Sequence, residues 1–282
     1  MKSFAHYNQF IKAVLFYFTV LSAQAGTQHT ESPDISPRLL SAPKIADDRI
    51  KEASGLAPSH LNQDVFWTHN DSGDSAAVFA VGADGSAQGY FVLKNCQPTD
   101  IEDIAVGSGP AKNSTYIYLA DIGDNGKSRK NKKIYRFREP LLKQDSKWQP
   151  IENFDVINFS YPDDQCYDAE TLLLDPLTKD LLIITKRGKK SDKKYDLIFK
   201  LPYPQQTGKL VTAEPVGKIE IPTGFMFGYG CTGGDISADG TQLIVKTYTN
   251  IYYWERNREE DFMAFFKRPY RNLPYTSQEG QG

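Results

Sequence analysis

Several features are scarce in this chain, and each scarcity closes off a class of function. Cysteine numbers three (Cys96, Cys166, Cys231) and histidine four. With no Cys-x-x-Cys and no Cys/His cluster, a zinc site has no ligand set. Neither charge sign is in excess, at 33 basic against 35 acidic residues, so no global footprint for nucleic acid or a membrane surface exists and electrostatic specificity has to be local. Gly-x-Ser-x-Gly is absent, which argues against a nucleophile-elbow hydrolase. Long windows of helical periodicity are also scarce. What the chain has instead is 16 Tyr, 16 Phe and 21 Gly, the composition of short strands and tight turns. At 282 residues it is long enough to bury a substantial all-β core.

The first 25 residues read as an export leader. Lys2 and Lys12 precede the apolar run Ala13 to Leu21, and Ala23-Gln24-Ala25 offers small residues for cleavage. The run is too short for a comfortable membrane span, so a periplasmic or secreted protein with no membrane span after leader removal is expected. Residues 26–37, rich in Thr, Ser, Pro and charge, read as a flexible lead-in. In an oxidising compartment three cysteines suggest one bridge and one leftover thiol.

Residues 38–282 divide into units sharing one grammar. First strands are predicted at Ser54–Ala57, Glu102–Ala105, Ala169–Leu172 and Gly234–Ser237; second strands at Val65–Thr68, Ile117–Ala120, Leu182–Thr185 and Leu243–Lys246; third strands at Ala77–Ala80, Lys133–Phe137, Leu197–Lys200 and Ile251–Trp254. With Gly55, Asp103, Glu170 and Asp235 taken as equivalent, the intervals are 48, 67 and 65 residues. Irregular repeats of short antiparallel strands predict an all-β propeller.

The string Ser54-Gly55-Leu56-Ala57, Trp67-Thr68-His69-Asn70-Asp71-Ser72-Gly73, Glu102-Asp103-Ile104-Ala105, Asp121-Ile122-Gly123-Asp124-Asn125, Asp168-Ala169-Glu170 and Thr232-Gly233-Gly234-Asp235-Ile236-Ser237 resembles a family of exported bacterial β-propellers of largely unassigned activity. More remotely it is similar to the propellers of phytases and of lactonase or esterase-like enzymes. In that family the Gln-Gly near the end opens a further blade. The resemblance therefore implies about five blades, four of them visible here; this sequence stops at Gln281-Gly282, so the propeller of residues 38–282 is expected to lack its last blade, with Arg38–Ile50 as the outer strand that would close it. A complete ring implies a monomer.

In an up-and-down blade the start of the first strand and the end of the second share one face. This gathers Asp100, Glu102, Asp103, Asp168, Glu170 and Asp235 with Asn70, Asp71, Asp74, Asp121, Asp124, Asn125, Lys186, Arg187 and Lys246. A calcium site is expected on Glu102, Asp103, Asp121, Asp124 and Asn125, because the Asp-Ile-Gly-Asp-Asn turn supplies oxygen ligands close together; the same residues also suit a plain turn. Ligand contacts are expected from Asn70, Asp71, Lys186, Arg187, Asp235 and Lys246. His69, Glu102 and Glu170 are the candidates for acid/base work. Basic loops at 127–133 and 186–194 suggest capture of a small or polyanionic ligand such as an anionic glycan. Phe225-Phe227-Tyr229 and similar aromatic groups read as inter-blade packing. Cys166 and Cys231, each four residues before a strand anchor, are expected to pair. The functional expectation is a binding propeller with a polar, calcium-bearing face; the alternative is a metal-dependent hydrolase of phosphate or carboxylate esters.

Overall fold

The computed structural model describes residues 43–71, 73, 75–143, 148–187, 195–222 and 230–273. The leader, residues 26–37, Asp74, loop residues 188–194, the aromatic group 225–229 and the residues after 273 lie outside this set, and so do the expectations placed on them.

Four small sheets form a four-blade β-propeller arrangement. Blade 1 runs β1 (Ala53–Pro58), β2 (Val65–Asn70), β3 (Ala77–Gly82) and β4 (Ala87–Leu93). Blade 2 runs β5 (Ile101–Ser108), β6 (Thr115–Asp121) and β7 (Asn131–Arg138); then comes a short strand β8 (Gln149–Ile151) that joins another sheet, and the outer strand β9 (Asp155–Ser160). Blade 3 comprises β10 (Ala169–Leu174), β11 (Leu181–Thr185) and β12 (Asp196–Leu201), followed by the detached β13 (Leu210–Thr212) and the outer β14 (Glu214–Ile219). Blade 4 is β15 (Gly233–Ile236), β16 (Gln242–Lys246), β17 (Ile251–Glu255) and β18 (Arg271–Leu273). All twelve predicted strands are present, and each blade adds a fourth.

The inner strands pack in order, β1 against β5, β5 against β10 and β10 against β15. Side-chain alternation explains why blades 2 and 3 carry near-continuous apolar runs. In β6, Tyr118 and Ala120 face blade 3 whereas Ile117 and Leu119 face blade 1. In β11, Leu181 and Ile183 face blade 2 whereas Leu182 and Ile184 face blade 4. A strand buried on both faces has no place for a polar alternate. Blades 1 and 4 each have a neighbouring blade on one described face.

Outer edges are covered by the following blade. β8, from blade 2's connection, pairs in parallel with β4 of blade 1, and β13, from blade 3's, pairs in parallel with β9 of blade 2. On blade 3 a 3-10 helix (Phe262–Lys267), capped by the Asp261 carboxylate accepting from Ala264 N at 3.0 Å, takes that place and lays Met263 over Gly217. This covers strand edges that would otherwise offer unpaired backbone groups.

Two expectations change. The described part of Arg38–Ile50, residues 43–50, forms no strand. It straps blade 1 instead: Ala46 N donates to Gly85 O, and the Arg49 guanidinium lies 4.4 Å from the Tyr90 ring centroid. The Cys166–Cys231 bridge is absent, for all three cysteines are free. Cys231 is buried in the core between blades 3 and 4, where its thiol donates toward Asp196 Oδ2 at 3.5 Å.

Candidate functional site

β-bulges place the key carboxylates. The registers of β1–β2, β5–β6 and β10–β11 each skip one residue, at Gly55, Glu102 and Glu170. Those three are therefore equivalent, and Asp103 is offset by one from the position assigned to it by sequence. A bulge re-aims its extra residue, so Glu102 and Glu170 project from successive blades at the same end of the inner strands. Blade 1 has Gly55 there, at φ 58°, and a Cβ would collide with His69 Nε2 and Asp103 Oδ1.

Asp103 locks two blades together. Its Oδ2 accepts from Leu172 N of blade 3 at 2.7 Å and its Oδ1 from Ile104 N at 2.9 Å, and burial holds the carboxyl well above its ordinary range. Similar fasteners recur. Ser54 Oγ donates to Glu102 O at 2.9 Å, and Glu139 Oε1 accepts from Ser59 Oγ, His60 N and Trp67 Nε1. Between blades 3 and 4 Arg256 Nη2 meets Asp175 Oδ1 at 2.6 Å with both side chains buried.

The Asp121–Asn125 turn is occupied by its own bonds. Asp121 accepts from Thr99 N (3.1 Å), Asp100 N (3.0 Å), Arg129 Nη2 (2.7 Å) and Tyr135 OH (3.3 Å). Asp124 accepts from Ser128 N and Arg129 N and pairs with Lys132 Nζ at 3.1 Å. Burial alone would raise the Asp124 carboxyl, but these donors more than offset it and hold the group below its usual value. Asn125 is exposed. Three of the five cations of the 127–133 loop are engaged too, Arg129 and Lys132 on these aspartates and Lys130 on Asp164 at 3.3 Å in an exposed pair.

A different set converges. One carboxylate oxygen each from Asp71, Asp100 and Glu102 lie within 4.8 Å of one another. Asp71 follows β2, Asp100 precedes β5 and Glu102 is the β5 bulge. Gly123 makes the convergence possible: a Cβ there would run into Glu102 Oε1 and Asp100 Oδ2, so this glycine serves close approach instead of the bend. Glu102 is 6 % exposed. Burial, then the charges of Glu170, Asp100, Asp71 and Asp168, push its carboxyl far above the ordinary range.

Opposite stands Glu170, ion-paired to Lys186 Nζ, which also donates to Tyr248 OH at 2.8 Å. Burial raises Glu170 and the Lys186 charge only partly reverses it. Lys246 lies near Glu170 and Asp103, and burial pulls its amine down to about 8.

The remaining candidates sit elsewhere or are engaged. His69 is fully buried, its Nδ1–H donating to Asn70 O at 2.8 Å, and burial pulls it down to about 4; it is neutral and out of a substrate's reach. Asn70 fastens the strap, accepting from Lys51 N at 3.0 Å and donating to Arg49 O at 2.9 Å. Arg187 turns into the blade 3–4 core, with its backbone N on Asp196 Oδ1 and its Nη2 on Ile221 O. Asp235 Oδ1 accepts from Ile236 N, and burial raises this carboxyl to about 7. The sequence places Asp100 on this face without naming it among the metal ligands, and gives no role to Tyr248.

No protein-family model and no curated protein sequence matches the chain. Among solved structures, a chain of the crystal structure of a nidogen/laminin complex is similar at 12 % identity and a TM-score of 0.42; the match covers 75 % of this chain and 62 % of that one. Among the described residues no helix is long and apolar enough to cross a membrane.

Proposed function

We propose that this chain is an exported recognition propeller that takes a small polar ligand at the end of the inner strands where Asp71, Asp100 and Glu102 face Glu170, Lys186 and Tyr248. The observation that carries this reading is the pair of bulge carboxylates. Glu102 and Glu170 occupy equivalent positions in adjacent blades, yet among the described residues only Glu170 has an ion-pair partner, Lys186. Polar groups gathered at one end of a channel with part of their bonding capacity unspent are what a ligand site needs. A small ligand fits better than a polyanionic glycan, because the buried cations Arg129 and Lys132 of the 127–133 loop are already paired within the fold. Export rests on the leader pattern of residues 1–25.

Calorimetry on the full chain with small anions, neutral sugars and anionic oligosaccharides tests this. Heat of binding for a small ligand that drops at least tenfold in affinity in Lys186→Ala supports it; no heat from any of them overturns it.

One observation favours hydrolysis as a second reading. Glu170 has its carboxyl raised by burial beside Lys186, the state of a group able to take a proton near neutrality. A screen of phosphate and carboxylate esters decides: turnover lost in Glu170→Gln supports the hydrolase, and no turnover leaves recognition.

A further inference from the structure

We infer that Asp71, Asp100 and Glu102 form a binding site for a hard divalent cation of the calcium class at the mouth of the propeller. This rests on the placement of the ligand site proposed above and supplies the charge which that site lacks.

The geometry fits such an ion. Calcium holds oxygen ligands at about 2.3–2.6 Å, so oxygens around one ion are separated by up to about 5 Å, and the three carboxylates lie within 4.8 Å of each other. They come from the end of β2, the approach to β5 and the β5 bulge, and so are held by two blades.

An independent observation sets Glu102 apart from the other buried acids. It is 6 % exposed, and its carboxylate makes no hydrogen bond and no ion pair among the described residues. Asp103 has two N–H donors, Asp121 has four donors, and Asp124 has two N–H groups and a lysine. A buried carboxyl without a donor is expensive to keep. The cations beside it are committed: Lys186 to Glu170 and Tyr248, and Arg129 to Asp121 and Gly123 O. Gly123 leaves open the space that lets Asp100 and Glu102 approach each other.

The donor set points to the chemical class. It is all oxygen, and the nearest histidine, His69, is buried with its Nδ1 engaged. Such a set suits calcium or magnesium over zinc or copper. Three protein oxygens leave positions of a calcium shell for water or for an anionic group of the small ligand.

The test uses the full chain after chelation, with calcium, magnesium and terbium as probes. Calcium is expected to raise the melting temperature by about 5 °C at saturation. Terbium is expected to give tyrosine-sensitised luminescence, through Tyr248 near the site, that calcium competes away. Glu102→Gln and Asp100→Asn should each abolish the shift and weaken terbium binding at least tenfold while keeping a cooperative melt; either variant alone suffices if the other does not fold. Absence of both a shift and competed luminescence at millimolar ion overturns the site, and so does an unchanged response in Glu102→Gln. Calorimetry with the small ligand separates this inference from the recognition reading. Ligand heat without ion binding removes only the cation site, whereas ion binding without ligand heat removes only the recognition function.

Discussion

Two acidic regions lie side by side in this propeller, touching at Gly123. The turn Asp121–Asn125 is conspicuous in the sequence, and its aspartates are saturated with donors from Thr99, Asp100, Ser128, Arg129, Lys132 and Tyr135. The group Asp71, Asp100 and Glu102 is scattered over two strand ends, and Glu102 within it is buried without a donor among the described residues. Carboxylates of the same chemistry therefore do opposite work. Asp121 and Asp124 hold a loop and a strand start in register, which is structural. The triad concentrates like charge, which costs stability and is what a bound cation would relieve.

Asp121→Ala should produce the largest effect. It leaves Arg129 and two backbone N–H groups without their acceptor, and urea denaturation should show a loss of about 3–5 kcal/mol. A loss below about 1 kcal/mol would mean that the turn is not structural and would erase the contrast.

Gly123→Ala joins the two regions in one variant. The new methyl must push Asp100 or Glu102 aside, at about 1–3 kcal/mol for overpacking. It should also remove the calcium-dependent rise in melting temperature, which a purely structural role for Gly123 would leave intact.

Asp196 combines both behaviours, since it has donors yet is destabilised by its site. Arg187 N and Cys231 N reach it at 2.8 and 3.3 Å, and burial still raises its carboxyl to about 6. A carboxyl raised in the folded state favours folding fully below its unfolded value, near pH 4, and that contribution is lost as pH rises through about 6. Melting curves between pH 4 and 7 should therefore decline with a component on the order of 1–3 kcal/mol that Asp196→Asn flattens. An unchanged slope in that variant would assign the pH dependence to other groups.

The smallest effect is expected for Glu102→Gln in the absence of ion. Removing a buried acid that has no partner among the described residues should leave stability unchanged or raise it by about 1 kcal/mol. A loss of several kcal/mol, read by the same urea titration, would show that Glu102 has a structural partner and belongs with Asp121.

Much of the fold was legible from local pattern. Runs such as Ile117-Tyr118-Leu119-Ala120 and Leu182-Ile183-Ile184-Thr185 announce strands buried on both faces, and Asp175-Pro176-Leu177-Thr178 announces the turn between two of them. The outer strands were harder. β9, Asp-Val-Ile-Asn-Phe-Ser, is partly exposed, and β8 and β13 are three-residue segments that become strands only because the outer edge of another blade is there to pair with. The one-residue offset of Asp103 could not be read either, for a bulge is a feature of pairing between two strands and leaves no mark in either one alone.

By itself, then, the sequence determined the number and kind of units and gathered the acids at one end of the inner strands, because side-chain alternation and turn chemistry act over a few residues. Only the tertiary structure decided which acids are spent. Asp103 finds Leu172 N 69 residues away, Asp121 finds Thr99 N 22 residues away, and Asp175 finds Arg256 81 residues away. A hydrogen bond is satisfied by whatever the fold brings within about 3 Å. Among the described residues, Glu102 stands out because the fold brings it other carboxylates and no donor.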